Sequence, residues 1–208
     1  MSAPSGTLVG IVDDDASVRK GMARLVTTAG YRVEVFASAR EFLARAHHED
    51  LCCLVLDVRM PGLTGLELQE ALAVAGSRMS IVFISGHGDV VGSVKAMKGG
   101  AIDFLTKPVD ARELLGAIER AVARALTVRR EQAGATDMHG RLKNLTAREA
   151  QVFALVVTGM LNKQIAAELG IVEKTVKVHR ARVMEKMRAG SLAELVRLAD
   201  RAGIIAKS

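Results

Sequence analysis

Short apolar runs alternate with amphipathic stretches through the first 126 residues. TLVGIVD (7–13), YRVEVF (31–36), LCCLVLD (51–57), SIVFIS (80–85) and AIDFL (101–105) are five to seven residues long and rich in Val, Ile and Leu. Runs of this length and composition predict buried strands. Between them apolar residues recur at helical spacing over 17–28, 39–46, 65–73, 90–97 and, after Pro108, 111–126. Five βα units in this order predict a doubly wound α/β fold, a five-stranded parallel sheet with helices on both faces.

The pattern then changes period. TVRREQAGATDMHGRLKN (127–144) is polar, carries Gly134 and Gly140 and lacks a sustained apolar stripe, so 127–142 is expected to be a linker between a first domain, 1–126, and a second, 143–208. LTAREAQVFALVVTG opens on a capping box, Thr146 and Glu149, and predicts a helix. NKQIAAELG predicts a short helix closed by Gly170, the turn IVE follows, and KTVKVHRARVMEKM predicts a basic helix. A second capping box, Ser191 and Glu194, opens the last helix, 191–202. The second domain is therefore read as a small all-α four-helix unit whose helix, short turn and basic helix have helix-turn-helix order.

On the basic helix Val176, His179, Val183 and Met187 form the stripe expected to be buried, with His179 structural. Lys174, Val178, Ala181 and Arg182 lie opposite, with Thr175, Lys177 and Arg180 beside them, and these seven are the candidate groove residues. Lysine and arginine can bond phosphates or guanine edges, and Val178 can touch a thymine methyl.

Charge sharpens this division. Residues 1–126 hold 14 Lys+Arg against 15 Asp+Glu, whereas 127–208 hold 15 against 8, so the excess of +6 comes from the second part. A basic segment of this size points to a polyanionic partner. The longest apolar runs, such as LCCLVL, fall far short of the ~20 residues of a membrane helix. The start, MSAPSGTLVG, has neither a basic n-region nor a long apolar one, so a cytoplasmic protein without membrane contact is expected. Cys52 and Cys53 are adjacent on a predicted strand and should face opposite ways, which suits neither a disulfide nor a metal.

In parallel α/β folds ligands bind beyond the carboxyl ends of the strands. Asp13 and Asp14 end the first strand here, Asp57 the third and Ser85 the fourth, while Lys107 and Pro108 follow the fifth. Three carboxylates converging on one rim repel one another unless a cation joins them, and hard oxygen ligands with open positions suit Mg²⁺.

VDDD (12–15), LDVRMPGLTGLEL (56–68), FISGHGD (83–89) and FLTKP (104–108) resemble, in order and spacing, the motifs of the receiver domain of two-component response regulators. The resemblance implies a flavodoxin-like fold with strand order 2-1-3-4-5 and phosphorylation of Asp57 by a sensor histidine kinase. It further implies Mg²⁺ held by Asp14, Asp57 and the Arg59 carbonyl, with Asp13 acting through a metal-bound water. Lys107, placed by a cis peptide to Pro108, and the Ser85 hydroxyl would each bond a phosphoryl oxygen. Phe104 stands where receivers carry a switch aromatic whose ring fills the space that Ser85 leaves.

Residues 143–202 resemble the DNA-binding module of the LuxR and NarL group, on the strength of LTARE, GMLNKQIAAELGIVEKTVKVHR and EKM. Joined to the receiver motifs, the pattern is closest to the FixJ branch. Val172 departs from it, standing where many relatives place a capping Ser, and Ala181 stands where some carry a basic DNA contact. The implied protein is a transcription factor that binds double-stranded promoter DNA and forms a homodimer on phosphorylation. Two other readings are weaker. An aspartyl phosphatase wants an acid two residues after its nucleophile, where this chain has Arg59, so no enzyme is expected. A single-strand RNA binder wants exposed aromatics, and Phe153 is the only aromatic after residue 126. A DNA-binding regulator independent of phosphate is the remaining alternative.

Overall fold

The structure, a computed structural model, describes residues 6–86, 89–201, 203 and 204. His87 and Gly88 of the FISGHGD motif, Ala202 of the expected range 191–202, and both chain ends lie outside the described residues. The elements run β1 (Leu8–Val12), α1 (Ala16–Thr28), β2 (Arg32–Phe36), α2 (Ala39–Leu43), β3 (Leu51–Asp57), α3 (Gly65–Val74), β4 (Ile81–Ser85), α4 (Val90–Lys98), β5 (Asp103–Thr106), α5 (Ala111–Lys143), α6 (Ala147–Val157), α7 (Asn162–Leu169), α8 (Glu173–Met187) and α9 (Leu192–Arg201). The chain divides into two compact units, Met1–Val128 and Arg129–Ser208.

In the first unit five parallel strands lie in the order β2-β1-β3-β4-β5. All seven residues of β3 are buried, because helices cover both faces of the sheet, and this is why the strand is a continuous apolar run rather than an alternating one. Val9, Ile11, Val55, Val82 and Ile84 pack against Met22 and Val26 of α1 and Leu114, Ile118 and Ala121 of α5. Val12, Leu54, Leu56 and Phe83 pack instead with Phe42, Leu68, Leu72 and Ala96. Both cysteines are buried and neither forms a disulfide. The opposite sidedness expected of them does not hold: the pairing of β1 with β3 skips Cys52, and both residues join the cluster around Val9 and Val55. An extra residue in a strand breaks strict alternation.

The expected linker is helical. α5 continues through 127–142 to Lys143. Glycines at 134 and 140 each weaken a helix by about 1 kcal/mol, but Met138 is buried in the core of the second unit and Leu142 packs against it. The apolar anchors are too few to form a stripe legible in sequence.

That second core gathers Met138, Val152, Phe153, Val156, Ile165, Val176, Val183, Met187, Leu195 and Ala199. Gly170 closes α7 in the left-handed region, at φ +64°. Val172 makes no side-chain capping bond, yet α8 begins directly after it. The Thr146 capping box forms as expected. At α9 the Ser191 hydroxyl accepts from the Glu194 N–H at 3.2 Å, but the Glu194 carboxylate takes the N–H of Gly190 instead of closing the box.

Glu149 has a second task. Its buried carboxylate accepts from Lys186 Nζ at 2.6 Å as well as from the Thr146 N–H at 2.9 Å, tying the start of α6 to α8. Lys186, and then the Thr146 N–H, hold its carboxyl down at about 2, against an ordinary 4.5. Its folded pKa is depressed, so the stabilisation is complete above about pH 4.5 and is lost as the pH falls toward 2. Glu149→Gln is expected to lower the melting temperature of this unit at neutral pH. The gap to the wild type should close in melts recorded at successively lower pH within that window, and a gap that stays constant down to pH 3 refutes the assignment.

Candidate functional site

The sheet brings the predicted acidic residues to one edge. β1 pairs Val12 with Leu56 of β3, so Asp13, just past β1, and Asp57, the last residue of β3, become neighbours. Asp13 is completely buried, Asp57 is 5% exposed and Asp14 is exposed. One carboxylate oxygen from each lies within 4.8 Å of the others. Lys107 reaches the same edge from the end of β5, through a cis bond to Pro108 and a backbone N–H bonded to the Ser85 carbonyl at 2.7 Å. Its Nζ bridges Asp13 Oδ2 at 2.8 Å and Asp57 Oδ2 at 2.5 Å. The remaining oxygens are partly engaged: Asp13 Oδ1 accepts from the Asp15 N–H at 2.8 Å, and Asp57 Oδ1 from the Arg59 N–H at 3.1 Å.

Burial, the largest influence, pushes the Asp57 carboxyl above its usual range, against the pull of Lys107 and the Arg59 N–H. Burial also works against the Lys107 ammonium, but its bonds to Asp13 and Asp57 outweigh that and leave it above the usual lysine range. The result is a buried carboxylate beside a fixed cation. The exposed Asp14 leaves the cluster open on one side, and a set of hard carboxylate oxygens with an open side suits Mg²⁺, which keeps waters and accepts phosphate oxygens.

A tight loop holds the end of β3 in place. Val58 donates its N–H to Ile84 at 2.9 Å, and Gly65 donates to Val58 at 3.0 Å. Thr64 and Glu67 form a capping box that starts α3 at Gly65. A Cβ on Gly65 would collide with the Asp57 carbonyl oxygen, so the first residue of α3 must be glycine for the helix to sit this close.

Ser85 and Phe104 are placed differently from the acidic group. Ser85 is buried, and its hydroxyl donates to Asp89 Oδ2 at 3.4 Å rather than to any group of the Asp57 cluster. Phe104 is half-buried, with its ring 6.4 Å from that of Phe83. Asp89 is the residue that sequence reading passed over. It is the last residue of FISGHGD, and its position directly before the apolar start of α4 was the available signal for an N-cap.

On α8 the buried stripe is Val176, Val183 and Met187, with His179 half-buried beside them. The His179 Nδ1 is buried without a hydrogen-bond partner. Lys174, Lys177, Val178, Ala181 and Arg182 are exposed together, while Thr175 and Arg180 are half-buried. Lys177 pairs with Glu173 at 3.3 Å one turn back, and Arg180 donates to Asn162 Oδ1 at 3.0 Å. Arg180 therefore ties α8 to α7 in addition to flanking the exposed face.

Residues 9–119 match the response regulator receiver domain family, and residues 143–199 match the bacterial regulatory proteins of the luxR family. Nodulation protein W of Bradyrhizobium diazoefficiens is 46% identical over 98% of this chain and 90% of its own length. The transcriptional regulatory protein FixJ of Azorhizobium caulinodans is 42% identical over 97% of this chain and 95% of its own. Among solved structures, response regulator StyR is similar with a TM-score of 0.82 at 45% identity, covering 95% of this chain and 100% of that one. Full-length FixJ from B. japonicum gives 0.57 at 41% identity over 97% of this chain and 100% of that one. A receiver domain followed by a LuxR-type helix-turn-helix, with FixJ relatives matching along nearly the whole length, places this chain in the FixJ branch of the NarL/LuxR response regulators, the transcription regulators of two-component systems.

Proposed function

We propose that Asp57 accepts a phosphoryl group from a sensor histidine kinase and that this drives dimerisation and promoter binding in the cytoplasm. The observation that supports it most is Lys107 bridging Asp13 and Asp57 at an edge of three carboxylates. In the reaction an Asp57 carboxylate oxygen attacks the phosphorus of the kinase phosphohistidine in line. The P–O bond forms as the P–N bond breaks, and the imidazole leaves. Mg²⁺ held by Asp14, Asp57 and the Arg59 carbonyl, with Asp13 through a water, supplies charge neutralisation when bound. Lys107 then moves from the carboxylates to a phosphoryl oxygen, Ser85 donates to another, and Phe104 follows into the space behind it. The chain thus works by population shift and not by turnover.

Residues 1–126 act as the receiver, 143–208 as the DNA-binding domain, and 127–142 join them as helix. The face of α4 exposes Val90, Val91, Val94 and Met97, apolar residues that support a receiver contact between two copies through α4 and β5, with α9 as a second contact. α8 is assigned to the major groove, with Lys177 and Val178 toward base edges, Arg182 toward phosphate, and Lys174, Thr175, Arg180 and Ala181 around them.

One experiment tests the chain of events. The full-length protein is incubated with acetyl phosphate and Mg²⁺, then measured by intact mass, sedimentation and binding isotherms on promoter duplexes at several salt concentrations. One added phosphoryl group, a heavier species and tighter duplex binding are expected. In the same isotherms Arg182→Ala should weaken all duplexes alike and lower the salt slope by about one unit, whereas Val178→Ala should change preference at one base pair by about 1 kcal/mol. Unchanged mass after incubation overturns the phosphorylation step, and parallel losses for both substitutions overturn the groove assignment.

A further inference from the structure

A serine hydroxyl has one hydrogen to donate. Here Ser85 spends it on Asp89 Oδ2 at 3.4 Å, long for such a bond and so readily exchanged. The same carboxylate caps α4, its Oδ1 accepting the Gly92 N–H at 3.0 Å, and Arg59 Nε stands 3.7 Å from Oδ2. The fit is close: a Cβ on Gly92 would lie 2.6 Å from the Asp89 carboxylate. The other end of α4 is held independently, by buried Gln69 donating from Nε2 to the Ala96 carbonyl at 3.1 Å. Asp89 therefore joins the buried serine at the end of β4 to the first turn of the helix that exposes Val90, Val91, Val94 and Met97.

We infer that Asp89 is a latch: it competes with the phosphoryl group for the single Ser85 hydrogen, holds the receiver in its resting state, and passes the release of Ser85 to the start of α4. The inference rests on the proposed phosphorylation of Asp57. When Ser85 turns to a phosphoryl oxygen, its bond to Asp89 breaks, and among the described residues the carboxylate keeps Gly92 and the exposed Arg59. The first turn of α4 is then free to settle in a new position, while Gln69 still holds the last. Asp89 is a positioning residue, since it touches neither phosphorus nor the attacking oxygen.

Asp89→Asn separates the latch from the cap. Asparagine caps helices about as well as aspartate, so its carbonyl keeps the Gly92 N–H, but the amide facing Ser85 is a donor and cannot accept the hydroxyl hydrogen. The full-length protein is titrated with beryllofluoride in the presence of Mg²⁺ and followed by fluorine NMR. The midpoint should fall about five-fold in Asp89→Asn, the weight of one modest hydrogen bond. In the Ser85→Ala background the same substitution should change nothing, because there is no hydrogen left to compete for. Asp89→Gly, also tolerated at N-caps, repeats the pattern if the asparagine variant folds poorly. An unchanged midpoint, or equal shifts with and without Ser85, overturns the latch and leaves phosphorylation at Asp57 standing. Failure of the wild type to bind beryllofluoride overturns the phosphorylation reading and the latch with it.

Discussion

Asp57→Asn is expected to abolish phosphoryl uptake from acetyl phosphate and Mg²⁺, a loss too large for partial activity to obscure in an intact mass spectrum. An amide lacks the charged oxygen that attacks phosphorus, and no neighbour can replace it. Asp13 is completely buried, and its oxygens serve Lys107 and the Asp15 N–H. Asp14 is exposed and has no bond to Lys107 among those the structure shows. Asp57 alone combines the strand end with the cation. Folding should survive the change, because burial disfavours the Asp57 charge and a neutral isostere removes that cost. A variant that still gains a full phosphoryl group would move the site elsewhere.

Gly65→Ala should produce the largest loss of stability among small substitutions near the site. The added methyl has nowhere to go: it meets the Asp57 carbonyl oxygen, a backbone atom, with the Leu56 side chain beside it. Either α3 moves outward or the end of β3 does. Overpacking of this kind costs about 1–3 kcal/mol, and because the displaced carbonyl belongs to Asp57, the proposed phosphoacceptor, the rate of phosphoryl uptake should fall with it. Urea unfolding and a time course with acetyl phosphate measure the two effects. Gly62→Ala is the control. Gly62 sits at φ +80° with open space around its Cβ position, so alanine there meets backbone strain of about 1–2 kcal/mol and no collision. If both substitutions slow uptake equally, the close approach at Gly65 is not what positions Asp57.

The elements of the first unit were legible because their signals are local. Runs such as LCCLVLD and SIVFIS are long enough, and Gly and Pro interrupt often enough, to separate strands from helices. The acidic rim was legible for a related reason: a parallel sheet puts every carboxyl strand end on one edge, so Asp13, Asp57 and Lys107 could be grouped before any distance was known. The Thr146 and Glu149 box, Gly170 and three of the four stripe residues, Val176, Val183 and Met187, likewise follow from residue spacing alone, whereas His179 is only half-buried.

Partners distant in the chain were not legible. Lys107 and Asp13 are 94 residues apart, and no spacing rule says which oxygen of which carboxylate the ammonium takes. The helical course of 127–142 depends on Met138 and Leu142 finding the second core, a tertiary gain that overrides two glycines and a polar composition. Cys52 and Cys53 share a cluster because β1 and β3 slip by one residue, which only the pairing shows. Ser85 and Asp89 are only four residues apart, yet no spacing rule says that the carboxylate capping α4 also takes the serine hydroxyl. Hydrophobic period and turn chemistry, being local, determined the elements and the edge on which the chemistry gathers. Which carboxylate oxygens Lys107 takes at that edge was decided by packing between residues remote in sequence.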